Sequence, residues 1–433
     1  MHIKNVYKQV KDYRKGCTQC ALNGEEMSIN IDDLKECDIK AVKMDTLGVQ
    51  AFNISVDAGS SETRTHIWNG NPKNGTVYAI DSAYSVITDD ISGVQSQSDT
   101  LYDNMDIIMY DVTDNKQSKV FNEIHIVKGG LYEDLRRPAE RTSSNEGKGL
   151  QDTTYINTIA NIGLRLYCKA LTDGVLTDTC AAKVTLALPQ EDIVSTKRQD
   201  DVKERLTGVY VFELPRCGFR VMLYIDVQDI LLFDEAQAVL GFWRIENKEV
   251  SAKYQNVMVV DAGGRSVDLS IMLKGRVIAR GSYTCKFGGQ KFIDEVIDKY
   301  INDTGKDMPT KQMVNDALDT GLLQDGNDSI DITKYISTAK SEICSDIMSS
   351  ISALLDRNEI RMNQLNLVLC TGRLMKNTDN GSTGVEHLSS YINDAVKKIS
   401  PNTDVGLVED EHALVKGLSF ARMAYDKKVA TRK

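Results

Sequence analysis

Two aspartates carry the first chemical signal in the chain. Asp57 and Asp261 stand in the same four residues, Val56-Asp57-Ala58-Gly59 and Val260-Asp261-Ala262-Gly263. Each copy follows an apolar run and precedes a short polar loop and a second β-type run, and Ile67 and Ile271 follow their aspartates at the same offset. A tight turn between two strands exposes backbone N–H groups, and small residues let phosphate oxygens reach those donors. A carboxylate at the strand end can orient Mg2+ or its bound waters. One such text is a common hairpin turn. Two, with equivalent strands around them in the two halves of the chain, predict a duplicated supersecondary unit. Facing each other, such hairpins would clamp the β- and γ-phosphates of a nucleotide.

The elements that must hold these loops are legible around them. Residues 52–58 and 257–262 read as buried strands, and each polar loop leads into a second strand. Short β-type runs follow at 76–80, 106–112 and 121–127. The stretch 130–153 is rich in Arg and Glu and reads as an exposed loop. Ile156, Ile159, Ile162, Leu164, Leu166 and Leu171 predict a helix over 153–171, stopped at Asp173-Gly174. Residues 182–189 read as a buried strand, and 230–243 as a strand leading into a helix. A helix opens at Gly288-Gly289, where the first N–H groups would be available to a ligand. Further helices are expected at 333–362, 385–399 and 410–425, with a buried strand at 365–372. Strands and helices alternate throughout, which is the pattern of an α/β protein.

In this order, over residues 52–425, the chain resembles the actin superfamily, and within it the ParM branch of plasmid-segregation filament proteins. The resemblance implies an actin-like ATPase fold with two RNase H-like domains flanking a nucleotide cleft. Its first phosphate loop corresponds to Asp57, Gly59, Ser60 and Ser61, and its second to Asp261, Gly263, Gly264, Arg265, Ser266 and Asp268. The adenosine motif corresponds to Thr371, Gly372 and Arg373; the family usually has two or more glycines here and this chain has one. Gly417 matches the small residue at the crossing of the final helix. The middle segment, with a basic stretch, a glycine and two strands, resembles the ParM pattern that ends in Pro-Glu. Here Asp234 replaces the proline and Glu235 stands at the glutamate that positions the attacking water; an alternative alignment puts Gln237 in that role. The segment from Gly288 and Gly289 lies near ribose and phosphates in the family, so that Lys291 or Asp294 could reach the ribose.

The resemblance thus implies ATP, with GTP as the alternative, bound with Mg2+, with Asp57 and Asp261 organising the ion through water. It implies head-to-tail self-assembly into filaments, and plasmid movement through a DNA-bound adaptor protein. The expected domains are an appended segment 1–50, a first domain of 51–245 with 410–433, and a second of 246–409.

Composition bounds the alternatives. With 433 residues, 41% of them hydrophobic, the chain can build two or three cores. Its net charge of −10 gives no electrostatic ground for direct nucleic-acid binding. No apolar run reaches the ~18–20 residues of a membrane helix, and the N-terminus lacks the apolar core of a signal peptide. A cytoplasmic protein is expected. The nine cysteines are scattered, as reduced thiols would be. Cys17, Cys20 and Cys37 could begin a zinc site, but only His2 is near to complete four ligands. Gly147-Lys148 lacks the upstream glycine and the following Ser or Thr of a Walker A loop. Three rivals remain: a non-polymerising chaperone or reactivase ATPase of the same fold, a sugar kinase without an identifiable sugar-cleft aspartate, and a nucleotide-binding scaffold.

Overall fold

The computed structural model describes residues 43–45, 48–89, 91, 93–94, 100–141, 147–318, 320–325, 328–375 and 386–431. The Cys17, Cys20 and Cys37 set and nearly all of the 1–50 segment lie outside the described residues. The described chain gathers into two compact units. One holds the residues up to Ala238 together with those from Leu414 on, and the other holds Val239–Ala413.

The first unit contains strands β1 (Lys43–Asp45), β2 (Gln50–Ala58), β3 (Glu62–Trp68), β4 (Thr76–Asp81), β5 (Ser85–Val86), β6 (Asp106–Asp111), β7 (Glu123–Val127), β8 (Val175–Thr177), β9 (Thr179–Leu188), β10 (Gly208–Leu214), β11 (Phe219–Ile225) and β12 (Leu231–Asp234). Its helices are α1 (Gly129–Leu135), α2 (Asp152–Asp173), α3 (Gln190–Ile193) and α4 (Thr196–Leu206). Ten of the strands form one sheet in the order β4-β3-β2-β9-β11-β10-β6-β7-β5, with β12 beside β9. β9 is parallel to β2 along one edge (Val56 opposite Leu186). Along its other edge it is parallel to β11 at its start and to β12 at its end, where Leu188 pairs with Asp234. A strand flanked in parallel on both edges is buried on both faces, which explains the apolar run at 182–188. Parallel alignment also brings the C-terminal ends of β2 and β12 out at the same edge of the sheet, where the α/β architecture places ligands.

The second unit contains α6 (Lys248–Ser251), β13 (Val257–Ala262), β14 (Val267–Leu273), β15 (Arg276–Cys285), α7 (Gly289–Thr304), α8 (Lys311–Ala317), the pair β16 (Leu322–Asp325) and β17 (Asp328–Asp331), α9 (Thr333–Arg357), β18 (Leu367–Thr371), α10 (Leu388–Ile399) and β19 (Asp404–Leu407). Its main sheet runs β15-β14-β13-β18-β19. The helices α5 (Glu235–Glu246) and α11 (Ala413–Ala430) contain the points at which the chain passes from one unit to the other. The repeated text is therefore a repeated structure. β2–β3 and β13–β14 are antiparallel hairpins, and each has a parallel strand, β9 or β18, beside its first member.

One expectation needs correction. The stretch 130–153 is not one loop. It holds most of α1, a 3-10 turn at Lys148–Leu150 and the start of α2. Leu131 of α1 is fully buried against Ile87, Ile91 and Val127; Ile87 and Ile91 are distant in sequence, and a helix of 7 residues is too short to establish a period. Helix α2 does carry the expected apolar residues and ends at Gly174 with φ 74°. Yet Asn157, Thr158, Asn161 and Arg165 are buried as well, so the helix is enclosed almost all round.

Part of the reason is Lys128. Its ammonium is wholly buried, donating to Asn157 Oδ1 at 2.6 Å and to the Ala83 carbonyl at 3.3 Å. Burial pulls it down to about 7, with Asp81 opposing and Arg141 adding to the depression. Between about pH 7 and the ordinary lysine value the unfolded chain binds the extra proton, so stability rises with pH across that window and the burden is full below it. Lys128→Met should therefore stabilise the protein relative to wild type by about 2 kcal/mol at pH 6, with the gain fading towards pH 10. Paired denaturant melts across pH check this; a gain independent of pH would contradict it.

All six described cysteines are buried, Cys168, Cys180 and Cys217 in the first unit and Cys285, Cys344 and Cys370 in the second. Burial pushes the thiols of Cys180 and Cys370 up to about 12 and that of Cys344 up to about 11. No helix among the described residues is long and apolar enough to cross a membrane.

Candidate functional site

In the first unit, β2 delivers Asp57 at its end. Ile54 and Val56 before it are fully buried, so the strand is fixed by its core side chains. The loop that follows is a tight one: a Cβ on Gly59 would fall 2.6 Å from the Glu62 carbonyl oxygen. Ser82, just past β4, braces the loop from behind. Its hydroxyl donates to the Gly59 carbonyl at 2.6 Å and its N–H to the Ser61 carbonyl at 2.8 Å. Two carbonyls of the 57–61 loop are thus held, which fixes the Gly59–Ser60 and Ser61–Glu62 peptide planes.

Asp57 is almost completely buried, and its Oδ1 has no hydrogen-bond partner. Cations stand on both sides. Arg64, opposite Asp57 in the hairpin register, places Nη1 3.7 Å from Oδ2 and pairs with Glu62 at 2.9 Å. Lys148 places Nζ 3.5 Å from Oδ1. The same ammonium lies 2.5 Å from Glu235 Oε1.

Glu235 reaches this point because β12 ends at the same sheet edge as β2 and α5 begins immediately after it. Asp234 accepts the Gln237 N–H at 2.8 Å, which caps the first turn of α5. Burial pushes the Asp234 carboxyl up to about 6. Asp234 is therefore the N-cap of α5. Glu235 occupies the first helical position, where the helix dipole favours a carboxylate. Gln237, the alternative for the water-positioning role, gives its backbone N–H to that cap.

In the second unit the corresponding loop is closed by the Gly263 N–H donating to the Ser266 carbonyl at 2.9 Å. Asp268, opposite Asp261 across the hairpin, accepts from the hydroxyls of Ser266 at 3.0 Å and Thr284 at 2.6 Å. Asp261 also pairs in register with Thr371 at the end of β18. Gly372 follows with φ 94°, and a Cβ there would lie 2.4 Å from the Ala262 carbonyl oxygen and 2.6 Å from Asp261 Oδ1. Gly372 is therefore demanded twice, by its backbone angle and by the aspartate it packs on.

Gly288 and Gly289 close the corner. A Cβ on Gly288 would meet Gly263 O at 2.7 Å and Ser266 N at 2.8 Å. The N–H groups of Gly289 and Gln290 donate to the carbonyls of Gly263 and Gly264 at 3.0 and 2.8 Å. This corrects the expectation that the first N–H groups of α7 are available to a ligand: these two are committed to the hairpin, whose loop the helix N-terminus holds in place. Lys291 is turned to α9, 2.6 Å from Asp346, and to Glu295 at 3.5 Å; Asp294 pairs with Lys311 at 2.6 Å. Arg373 is exposed in the turn after Gly372.

The fold thus gathers Asp57, Gly59–Ser61 and Glu235 in one unit, and Asp261, Gly263–Ser266, Asp268, Gly288, Gly289, Thr371 and Gly372 in the other. The chain reading missed Arg64, Ser82 and Lys148. A hairpin register counted from Gly59 would have found Arg64. Nothing local would have found Lys148, which is distant in sequence from both of its carboxylate partners.

No protein-family description and no curated protein matches the chain by sequence. Solved structures do match its fold. The actin-like protein Alp7A superposes with a TM-score of 0.63 at 15% identity, over 88% of this chain and 99% of that one. ParM of Bacillus thuringiensis with ATP superposes with a TM-score of 0.56 at 11% identity, over 87% and 99%. The 15-stranded ParM filament from Clostridium botulinum superposes with a TM-score of 0.54 at 16% identity, over 87% and 100%. The chain has the actin-like fold, similar to ParM and Alp7A.

Proposed function

We propose that this actin-fold chain is an ATPase that binds Mg2+-ATP, hydrolyses it and assembles head-to-tail into filaments, in the manner of a cytoplasmic plasmid-segregation motor. The observation that carries the enzymatic part is the meeting of Asp57, Lys148 and Glu235 where β2 and β12 end. A buried carboxylate with an oxygen that accepts no hydrogen bond, beside a phosphate-type loop, fits an ion bound largely through water. When bound, Mg2+ neutralises charge on the phosphate oxygens and templates their geometry.

The chain's own residues do the rest. The backbones of 57–61 and 261–266 hold phosphate oxygens. Asp57 and Asp261, each at the end of its own unit's first hairpin strand, would orient ion-bound water, and Asp268 stiffens the second loop through Ser266 and Thr284. Thr371, Gly372 and Arg373 border the nucleoside. Glu235 orients a water whose oxygen attacks the γ-phosphorus; the bond to the β–γ bridging oxygen breaks, ADP leaves with that oxygen, and the water's protons pass to solvent and phosphate. Positioning and electrostatics supply such catalysis.

Support for assembly comes from the fold: ParM has been solved with ATP and with AMPPNP, and as a filament. Heterologous contacts that do not close make filaments rather than rings. The acidic chain would reach DNA through a basic, DNA-bound adaptor rather than directly.

The test is light scattering of the purified protein on addition of Mg2+-ATP or Mg2+-GTP, with the pellet viewed by negative-stain microscopy. Filaments appearing only with nucleotide are expected. Phosphate release with no rise in scattering would overturn the polymerising part and favour a chaperone-like ATPase; no nucleotide binding at all would overturn the whole.

A further inference from the structure

Lys148 sits in a turn that is anchored from several directions. The Gly149 N–H donates to Asp192 Oδ2 at 3.0 Å, the Tyr155 hydroxyl donates to the Gly149 carbonyl at 2.6 Å, and Arg205 Nη1 donates to the Leu150 carbonyl at 3.1 Å. Asp192 is itself fully buried and held by Arg198 at 3.1 Å. A Cβ on Gly147 would come within 2.7 Å of Asp192 Oδ1, and one on Gly149 within 2.9 Å of Val202 Cγ2. The glycines flanking Lys148 are thus a steric requirement of this turn.

What the turn presents is one ammonium to two carboxylates. Its Nζ is at 2.5 Å from Glu235 Oε1 and 3.5 Å from Asp57 Oδ1, so the hydrogen bond goes to Glu235 and Asp57 is attracted at longer range. An exposed ion pair contributes little to stability, and a half-buried one gains its value from fixed geometry. Here the geometry fixed is that of Glu235. Lys148, held independently of α5, binds the Glu235 carboxylate with an ammonium that also lies 3.5 Å from Asp57 Oδ1.

We propose that Lys148 is a positioning residue of the hydrolytic step: from its anchored turn it holds the Glu235 carboxylate where that group orients the lytic water. The proposal rests on the reading of the chain as an ATPase. Lys148 acts through Glu235, so its loss harms turnover and leaves nucleotide affinity in place.

The experiment compares wild type, Lys148→Met, Lys148→Arg, Glu235→Gln and the Met/Gln double variant. Single-turnover phosphate release is read alongside the affinities for methylanthraniloyl-ATP and methylanthraniloyl-ADP. Lys148→Met should slow phosphate release by about 100-fold, while both affinities stay within about threefold of wild type. Lys148→Arg should recover part of the rate, and the double variant should be no slower than Glu235→Gln, because two residues acting through one water do not add. Should the methionine variant melt early, Lys148→Gln takes its place in the same assay. A Lys148→Met protein as fast as wild type would overturn the proposal, and so would parallel loss of affinity and turnover, which would make the lysine a phosphate contact. Wild-type protein that neither binds nor hydrolyses ATP would overturn the ATPase reading, and this proposal with it.

Discussion

Glu235→Ala should stop phosphate release and leave the protein folded, able to bind nucleotide and able to assemble. The side chain stands at the start of α5, where its loss removes a favourable dipole interaction of about 0.3–1 kcal/mol. The helix keeps its start, because the cap is Asp234 and the Gln237 N–H stays bonded to it. The chemical loss is larger. A positioned carboxylate contributes about 10²–10⁴-fold to a proton-coupled attack by water. Filaments formed with ATP by this variant should therefore outlast those of wild type, since hydrolysis is what would shift the conformational balance against the lattice. Phosphate release, a thermal melt and the lifetime of scattering after nucleotide depletion check the three parts. Wild-type turnover would return the water-positioning role to the alternative, Gln237.

The second large effect is structural. Gly417, in α11, lies against α5 so closely that a Cβ would fall 2.1 Å from the Ala238 carbonyl oxygen and 2.6 Å from its carbonyl carbon. Both are backbone atoms, and neither can rotate aside. Gly417→Ala would ordinarily favour the helix by up to about 1 kcal/mol. Here it should destabilise by about 3 kcal/mol, because the helices must separate. Separation also disturbs Ser419, whose hydroxyl lies 2.7 Å from both Ser55 Oγ and His66 Nδ1 in a wholly buried cluster. Gly241, in α5, is the control. No atom lies within 4 Å of a Cβ built there, so Gly241→Ala should be neutral or stabilising. Opposite signs for the two substitutions in a denaturant melt are expected; equal signs would mean that the close approach at Gly417 relaxes without cost.

How much of this was legible depends on how far apart the interacting residues are. The hairpins were legible because their information is local: an apolar strand, a small-residue turn and a second strand follow one another within Gln50–Trp68 and again within Val257–Leu273. The duplication supplied the context that one copy lacks. Helix ends were legible for the same reason, as at Asp173-Gly174. Gly372 was singled out, but its steric necessity arises from Ala262 and Asp261, across the β13–β18 pairing. Helix α1 was missed because it is 7 residues long and Leu131 packs on Ile87 and Ile91, far earlier in the chain. Helix α4 buries only Val202 and Leu206, too few to mark a period in a charged stretch. The commitment of the α7 N-terminus to the Gly263 and Gly264 carbonyls is invisible to any cap rule, since a rule counts orphan donors without knowing what folds back to meet them. Lys148 is the extreme case: the turn reads as a failed phosphate motif until β2 and β12 bring both carboxylates to it.

The buried cysteines have a use that follows from their placement. Only a thiolate attacks a maleimide or a disulfide reagent quickly, and burial both hides these sulfurs and keeps Cys180, Cys344 and Cys370 protonated. In the folded protein all six should be slow to label. Three belong to each compact unit, so a peptide-resolved time course of alkylation is an intrinsic clock for the opening of each one. If a nucleotide steadies one unit more than the other, its set of cysteines will fall behind, without any probe having been introduced.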